Sequence, residues 1–176
     1  MRKIIGLALC MTSVCSALAF ADAKPTKAPY ISDLYKKSVS NILSNPMCDK
    51  QSFFFEKPWF HDGEEGDFQI YSTRYSDSLF VDFYMENANA LLPEIEIVTF
   101  PPPTTPEKQI RSFCVISAIK KALEPKVDII SYMAIDAQLF TAALQTKDAT
   151  YSTPKYDYSV SIKESTGMTF KIEPKE

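Results

Sequence analysis

The densest group of side chains that could do chemistry lies between residues 61 and 67, where the sequence runs His-Asp-Gly-Glu-Glu-Gly-Asp. Histidine transfers protons near neutral pH, and a carboxylate beside it can take part in general acid and base catalysis. His61 with Asp62, Glu64 or Glu65 is therefore the candidate site of a small hydrolase or carbohydrate-active enzyme. His61 is the one histidine of the chain. Mechanisms with two imidazoles and zinc sites with several histidines are therefore excluded.

The same segment contains oxygen ligands of the kind that calcium prefers. Asp62, Glu64 and Asp67 are spaced around two glycines, and calcium accepts about six to eight oxygens in irregular loops. The order of residues does not match an EF-hand loop, and no glutamate occupies its closing position. The simpler interpretation is a solvent-exposed turn between Trp59 and a strand that starts at Phe68, with no metal bound.

Other motifs for covalent catalysis or for cofactor binding are absent from the sequence. There is no G-x-S-x-G nucleophile elbow. The glycines that follow the N-terminal segment, at positions 63, 66 and 167, do not form a phosphate-binding loop. The sequence therefore predicts no nucleotide, dinucleotide or other cofactor.

Aromatic residues form a second candidate site, for binding rather than catalysis. Trp59, Tyr71 and Tyr84 flank loops or lie on strand faces, close in sequence to the carboxylates of Asp82 and Glu86. Tyrosine and tryptophan anchor protein interfaces because they bring a large rigid surface with a polar end. A patch of these five residues would also stack on sugar rings. For any one of the rings, the simpler interpretation is that it completes the core of the sheet. We take the five as the predicted binding residues.

Two cysteines remain after the N-terminal segment, and they predict one disulfide. Cys48 and Cys114 are far apart in sequence, whereas redox-active pairs usually have close spacing such as C-x-x-C. Cys48 follows the first predicted helix and Cys114 lies within the second. The bridge should therefore hold these two helices together, with Cα atoms about 4.4 to 6.8 Å apart.

Apolar residues at helical spacing predict the helices that position these groups. The first helix has Ser32 as its N-cap and ends before Pro46. The second begins at Pro106 and ends before Pro125. Residues 128–145 fit a third helix, although the beginning of this segment fits a strand equally well.

Alternation of apolar and polar residues predicts the strands. The predicted strands are 51–56, 68–75, 78–86, 95–100 and a final hairpin of 158–162 and 168–172. Strands in hairpins beside separate helices predict an α+β fold, in which an antiparallel sheet packs against two or three helices. A parallel doubly wound fold would need regular alternation of strands and helices.

The N-terminal residues have the three-part pattern of a secretory signal peptide. Arg2 and Lys3 precede an apolar run, and small residues lead to cleavage frames after Ala21 and Ala23. The expected organisation is a signal peptide over 1–21, a flexible lead-in over 22–30 and a single domain over 31–176. We therefore expect the mature protein in the periplasm or outside the cell.

Composition narrows the class of partner. Later apolar segments are shorter than a membrane span and contain charged residues, so we expect no membrane insertion of the mature chain. Loss of Arg2 and Lys3 with the signal peptide changes the formal charge from −3 to −5, and no dense basic cluster remains. The sequence thus predicts no nucleic-acid partner.

The leading functional hypothesis follows from these observations taken together. We expect a small exported protein without enzymatic activity that binds another exported or envelope protein. An inhibitor, an immunity protein and an envelope-assembly accessory are concrete forms of this hypothesis. The enzyme that uses His61 is its rival.

Overall fold

The computed structural model describes residues 29–62, 69–85 and 93–175 of the chain. The helices are α1 (Pro29–Ser44), α2 (Pro106–Leu123) and α3 (Ile129–Thr146), with a short 3-10 helix at Lys50–Ser52. The strands are β1 (Trp59–Asp62), β2 (Gln69–Ser76), β3 (Leu79–Met85), β4 (Glu94–Thr99), β5 (Asp148–Ser152), β6 (Tyr156–Lys163) and β7 (Gly167–Pro174).

The strands form one seven-stranded sheet in the order β1-β2-β3-β4-β7-β6-β5. All neighbouring strands are antiparallel. The first four strands and the last three are two meanders, and β7 joins them by pairing with β4. The helices α2 and α3 lie in the sequence between the two meanders. The α+β fold with an antiparallel sheet is therefore confirmed.

Alternation along the strands sets which face of the sheet is buried. In β3, Leu79, Val81, Phe83 and Met85 are buried, and the residues between them are half-buried or exposed. The pattern in β6 is the same. The buried face forms one core with apolar residues from all three helices. The alternation that predicted this strand therefore marks its buried face.

The helices form a layer on the buried face, with α2 in the middle. α2 packs against both α1 and α3, and α3 also lies over β5 and β6. A side-chain amide of α1 contributes to this packing, because Asn41 Nδ2 donates to the carbonyl of Ala118 at 3.0 Å.

The predicted disulfide links the first two helices. Cys48 and Cys114 are bonded, with Cα atoms 5.9 Å apart, inside the expected interval. Both residues are buried. The bridge ties the chain that leaves α1 to the middle of α2, as the sequence predicted.

The helix starts agree with the sequence in two cases out of three. Thr105 caps α2 by accepting from the backbone N–H of Lys108, and Asp128 caps α3 in the same way. The segment that fitted helix or strand is therefore helical. The prediction for α1 was wrong, because this helix already contains Pro29, and Ser32 lies inside it. Proline suits a first helical turn, since its φ is fixed near the helical value and its missing N–H needs no acceptor there.

Two short strands and one loop also differ from expectation. Residues 51–56 form no strand, because Asp49 caps the 3-10 helix and the chain then runs extended towards β1. Trp59–Asp62, at the beginning of the expected turn, forms the edge strand β1, and the rest of that turn lies outside the described residues. The other edge strand, β5, was not predicted, since four of its five residues are exposed and it has no apolar alternation.

One ion pair is fully buried between α2 and α3. Lys120 Nζ lies 2.6 Å from Asp136 Oδ1, and both side chains are 0% exposed. Ser117 donates to the second oxygen of Asp136, and the ammonium lies 4.6 and 4.4 Å from the ring centroids of Tyr132 and Tyr158. Burial lowers the pKa of Lys120 and raises the pKa of Asp136, and the attraction between the two charges opposes both shifts.

Among the described residues, no helix has both the length and the apolar character needed to cross a membrane.

Candidate functional site

The three helices cover one face of the sheet, and we call the other side the open face. Residues paired directly across antiparallel strands point to the same side of the sheet, so the register defines this face. Its members on the first four strands and β7 are Trp59, His61, Ile70, Ser72, Arg74, Phe80, Asp82, Tyr84, Glu94, Glu96, Val98, Thr169, Lys171 and Glu173. Apart from Ser72, these side chains are half-buried or exposed.

One row of the open face brings polar and aromatic groups together. The register places Trp59 opposite Ser72, Ser72 opposite Asp82, Asp82 opposite Glu96 and Glu96 opposite Lys171. This row runs across five neighbouring strands. A partner that lies across the strands would therefore meet an indole, a hydroxyl and three charged groups in sequence.

A chain of hydrogen bonds occupies the first half of this row. The Oγ atom of Ser72 donates to Asp82 Oδ1 at 2.5 Å and lies 2.7 Å from Nε2 of His61. A hydroxyl has one proton. Because that proton goes to Asp82, the Ser72 oxygen accepts from His61, which must then hold a proton on Nε2.

This order of donors and acceptors does not make a serine nucleophile. In a catalytic triad the imidazole accepts the hydroxyl proton, and the carboxylate orients the imidazole from the far side. Here the serine lies between the histidine and the carboxylate, so His61 donates towards Ser72. The arrangement holds the ring of His61 against the sheet and fixes which of its nitrogens is protonated.

The second half of the row has an excess of negative charge. Lys171 Nζ lies 2.5 Å from Glu96 Oε1 and 3.3 Å from Glu94 Oε1, and hydrogen bonding to Glu96 raises the pKa of this lysine to about 12. Tyr84 donates to Glu96, and burial together with Glu96 and Asp82 raises its pKa to about 12. Two carboxylates thus contact one ammonium, and a third, that of Asp82, lies opposite Glu96 in the register. Like charges directly opposite one another, as at Asp82 and Glu96, destabilise a sheet.

Aromatic side chains border the polar row. Trp59 is 43% exposed, Phe80 is 36% exposed and Phe54, beside β2, is 38% exposed. The guanidinium of Arg74 lies 4.9 Å from the ring centroid of Phe54 and 5.7 Å from that of Phe80. Aromatic residues and arginine are enriched in protein interfaces. This part of the open face has the composition of a binding surface.

The structure brings together three of the five predicted binding residues. Trp59, Asp82 and Tyr84 lie on the open face. Tyr71 does not, because it is 1% exposed, and its ring packs against Phe60 on the helical side. The prediction that Tyr71 belongs to an exposed patch was therefore wrong. The neighbouring residue, Ser72, is the one that points to the open face.

The fifth predicted binding residue, the predicted calcium ligands and the carboxylates predicted to act with His61 cannot be placed on this surface. Glu86, Glu64, Glu65 and Asp67 lie outside the described residues, and only the backbone of Asp62 is described. Within the described ranges, no group of three or more histidine, cysteine, aspartate or glutamate side chains is arranged to hold a metal ion. The calcium site stays a prediction.

The sequence-based prediction missed most members of the open face, including three that lie beside the predicted residues of β1 and β3. Ser72, Arg74 and Phe80 were not chosen, although each has the strand parity of Asp82 and Tyr84 once the β2-β3 register is known. The turn at Asp77 sets that register, because Ser76 pairs with Leu79 and a bulge shifts the pairing between Arg74 and Ser76. Phe80 lies two positions before Asp82 on β3, so counting by two along that strand finds it, but the bulge hides Ser72 and Arg74 on β2.

Comparisons with protein-family models, with curated proteins and with solved structures find no match for this chain.

Proposed function

We propose that this chain is an exported protein, periplasmic or secreted, that has no enzymatic activity and binds another exported or envelope protein through its open face. The observation that carries the proposal is a broad sheet face that none of the described helices covers and that presents Trp59, Phe80 and a connected polar row. Sheets with helices on one side only are stable with their second face in water. Here that second face also exposes aromatic rings.

Several features of the open face support a protein as the partner. Interface anchors are large rigid side chains surrounded by polar groups, and Trp59 lies beside the hydrogen-bonded chain of His61 and Ser72. The polar side chains of the row are held by hydrogen bonds or ion pairs, so they lose little conformational entropy when a partner binds. An inhibitor or immunity protein would use such a preformed surface to cover a partner enzyme, and an envelope accessory would use it for assembly.

Export is supported by different observations. The first 21 residues have the signal-peptide pattern, and the Cys48–Cys114 disulfide is of the kind that persists in oxidising compartments. The protein would meet its partner there rather than in the reducing cytoplasm.

A pull-down with matched variants tests the proposed function. The mature protein would be crosslinked in an envelope extract beside the variants Trp59→Ala/Phe80→Ala and Ile130→Ala/Leu144→Ala. Ile130 and Leu144 are 55% and 53% exposed on α3, so the second variant removes similar apolar area away from the open face. We expect one partner with the native protein and the α3 variant and at least a tenfold loss, about 1.4 kcal/mol, with the open-face variant. Equal recovery with all three proteins would contradict the proposal.

An enzyme that uses His61 is the second candidate function. The observation in its favour is the imidazole held 2.7 Å from a hydroxyl on an uncovered surface. The carboxylates predicted to act with it are Asp62, Glu64 and Glu65. An activity screen of the native protein against His61→Ala tests this alternative, since equal turnover on every active substrate would remove His61 from any mechanism.

A further inference from the structure

A pocket on the helical side of the sheet is separate from the open face. It lies between the first half of α1 and the chain that leads into β1, and its volume is about 280 Å³. Ile31 and Tyr71, each 1% exposed, form its floor, and Tyr35 lines its side. We propose that this pocket binds a small aromatic carboxylate, with the ring against Tyr35 and Tyr71 and the carboxylate between Lys36 and Lys57.

The size of the pocket limits the ligand to about one ring. A cavity of about 150 Å³ lined by apolar side chains holds benzene, and sites for drug-sized ligands begin near 300 Å³. A volume of about 280 Å³ therefore accommodates a phenyl ring with a short acidic side chain. Aromatic rings pair favourably when they are offset or edge to face, which suits a pocket with tyrosines on its floor and side.

The charges at the rim select an anion. Lys36 and Lys57 line the pocket, and no acidic side chain of the described residues does. Lys36 forms a long contact of 3.7 Å with Asp33, and both of these side chains are largely exposed. Such a surface pair contributes little, so the ammonium can turn to a ligand.

The carboxylate of Glu56 does not cancel this preference. Glu56 acts electrostatically on Tyr35 and raises the pKa of its phenol, after the larger effect of burial. The carboxylate of Glu56 lies 3.9 Å from a guanidinium nitrogen of Arg74, and Arg74 belongs to the open face. The charge of Glu56 is therefore partly balanced away from the pocket.

Binding in this pocket is independent of the proposed partner surface. Tyr71 forms part of the pocket floor on the helical side, and Ser72, the next residue, points to the open face. A ligand in the pocket and a protein on the open face would thus contact opposite sides of β2. Either proposal can fail without the other.

The experiment uses the mature protein with three probes of nearly equal shape. Phenylacetate, 2-phenylethanol and 2-phenylethylamine would be titrated at low ionic strength and followed by amide chemical shifts of Ile31, Ser32 and Tyr35. For about ten non-hydrogen atoms we expect a Kd for phenylacetate of roughly 0.1 to 1 mM. We expect phenylacetate to bind about tenfold more tightly than the alcohol and the amine to bind least.

Variants assign the preference to the two lysines. Lys36→Met/Lys57→Met should reduce the preference for phenylacetate over the alcohol to about twofold or less, while Lys108→Met/Lys163→Met, at exposed positions elsewhere, should leave it unchanged. Ser32→Phe, which fills the pocket, should abolish the shifts for all three probes.

Four results would overturn the proposal. They are no saturable shift at these amides, equal binding of the acid and the amine, a preference for the acid that survives in Lys36→Met/Lys57→Met, and tighter binding of N-acetyl-alanyl-phenylalanine than of phenylacetate. The last result would assign the pocket to the C-terminus of a polypeptide rather than to a small molecule. If the pull-down captured no partner, the proposed function would fail, but the result of this ligand titration would not change.

Discussion

Ser72 has one proton and two neighbours that could receive it, and the choice between them decides whether Ser72 can be a nucleophile with His61 as its base. The proton goes to Asp82 at 2.5 Å, so the imidazole of His61 becomes the donor to Ser72. A surface whose polar groups already satisfy one another is rigid. The same three residue types in the other order would have been a nucleophile with its base.

At the residue scale, the strongest effect on stability should come from the buried ion pair. Lys120→Met leaves the carboxylate of Asp136 buried without its cation, which typically destabilises a protein by about 3 to 5 kcal/mol. Lys120→Met/Asp136→Asn removes the charge while the introduced amide oxygen can still accept from Ser117, so we expect the double variant to regain about 2 kcal/mol. Urea denaturation of the native protein, the two single variants and the double variant measures this coupling. Additive losses would show that the pair does not act as a unit.

The tyrosine at the centre of the open face should make stability fall at alkaline pH. The pKa of folded Tyr84 is about 12 because of burial and the neighbouring carboxylates, whereas an unfolded tyrosine titrates near 10. Between these values the unfolded chain binds fewer protons than the folded chain, so the free energy of unfolding decreases as the pH rises. Below pH 10 the phenol of Tyr84 is protonated in both states, so it does not lower the free energy of unfolding.

Urea denaturation between pH 8 and 11.5 tests this effect of Tyr84. Tyr84→Phe should lose stability less steeply than the native protein above pH 10, and Tyr151→Phe, at an exposed tyrosine of β5, should serve as the matched control. Identical slopes for the native protein and Tyr84→Phe would contradict the assigned pKa.

At the element scale, the hairpin of β6 and β7 depends on one glycine. Gly167 has a φ of +88°, and an added Cβ would lie 2.3 Å from the carbonyl oxygen of Thr99 on β4. Left-handed backbone costs other residues roughly 1 to 2 kcal/mol, and the close contact adds to this cost. Gly167→Ala should therefore destabilise the protein by at least about 2 kcal/mol in thermal or urea denaturation. Ser165→Ala in the preceding turn should change stability by less than about 0.5 kcal/mol.

The disulfide should stabilise the packing of α1 on α2. It closes a loop with a sequence separation of 66 residues, for which the chain-entropy account gives about 4 kcal/mol. Cys48→Ser/Cys114→Ala should therefore melt roughly 10 °C below the native protein by calorimetry. A midpoint within about 2 °C of the native value would mean that helix packing alone holds this region.

The elements that the sequence predicted well are those with strong local signals. Thr105-Pro106 defines the start of α2, and apolar alternation defines β3 and β6. The edge strands β1 and β5 have no such signal, since a strand at the border of a sheet is held by backbone pairing with one neighbour and buries few side chains. Their existence depends on the register of β2 and β6, which no short stretch of sequence encodes.

The candidate site was predictable only in part, for a related reason. Trp59, Asp82 and Tyr84 could be chosen by residue type, but whether a ring is exposed depends on strand parity. Tyr71 is a residue type that suits an interface, but its position in β2 points its side chain to the helical side of the sheet, where it is buried. The bulge between Arg74 and Ser76 interrupts the alternation of sides along β2, so the side to which Tyr71 points cannot be counted from the turn.

At the scale of the whole molecule, the fold separates two surfaces. The helices and the disulfide build a core on one side of the sheet, and the open face presents aromatic and charged groups on the other. Because the two sides share only the strands, substitutions on the open face should alter binding with little effect on stability. The proposed function therefore requires that a partner contacts the open face.

Site-specific photocrosslinking in living cells tests this claim most directly. Benzoylphenylalanine would replace Trp59 or Phe80 on the open face and, as controls, Ile130 or Leu144 on the outer side of α3, all of which are exposed. Adducts of one mass at both open-face positions, and none at the α3 positions, are the predicted result. Adducts at the α3 positions without any at Trp59 or Phe80, or no adduct at any of the four positions, would contradict the assignment of the open face as the surface that binds the partner.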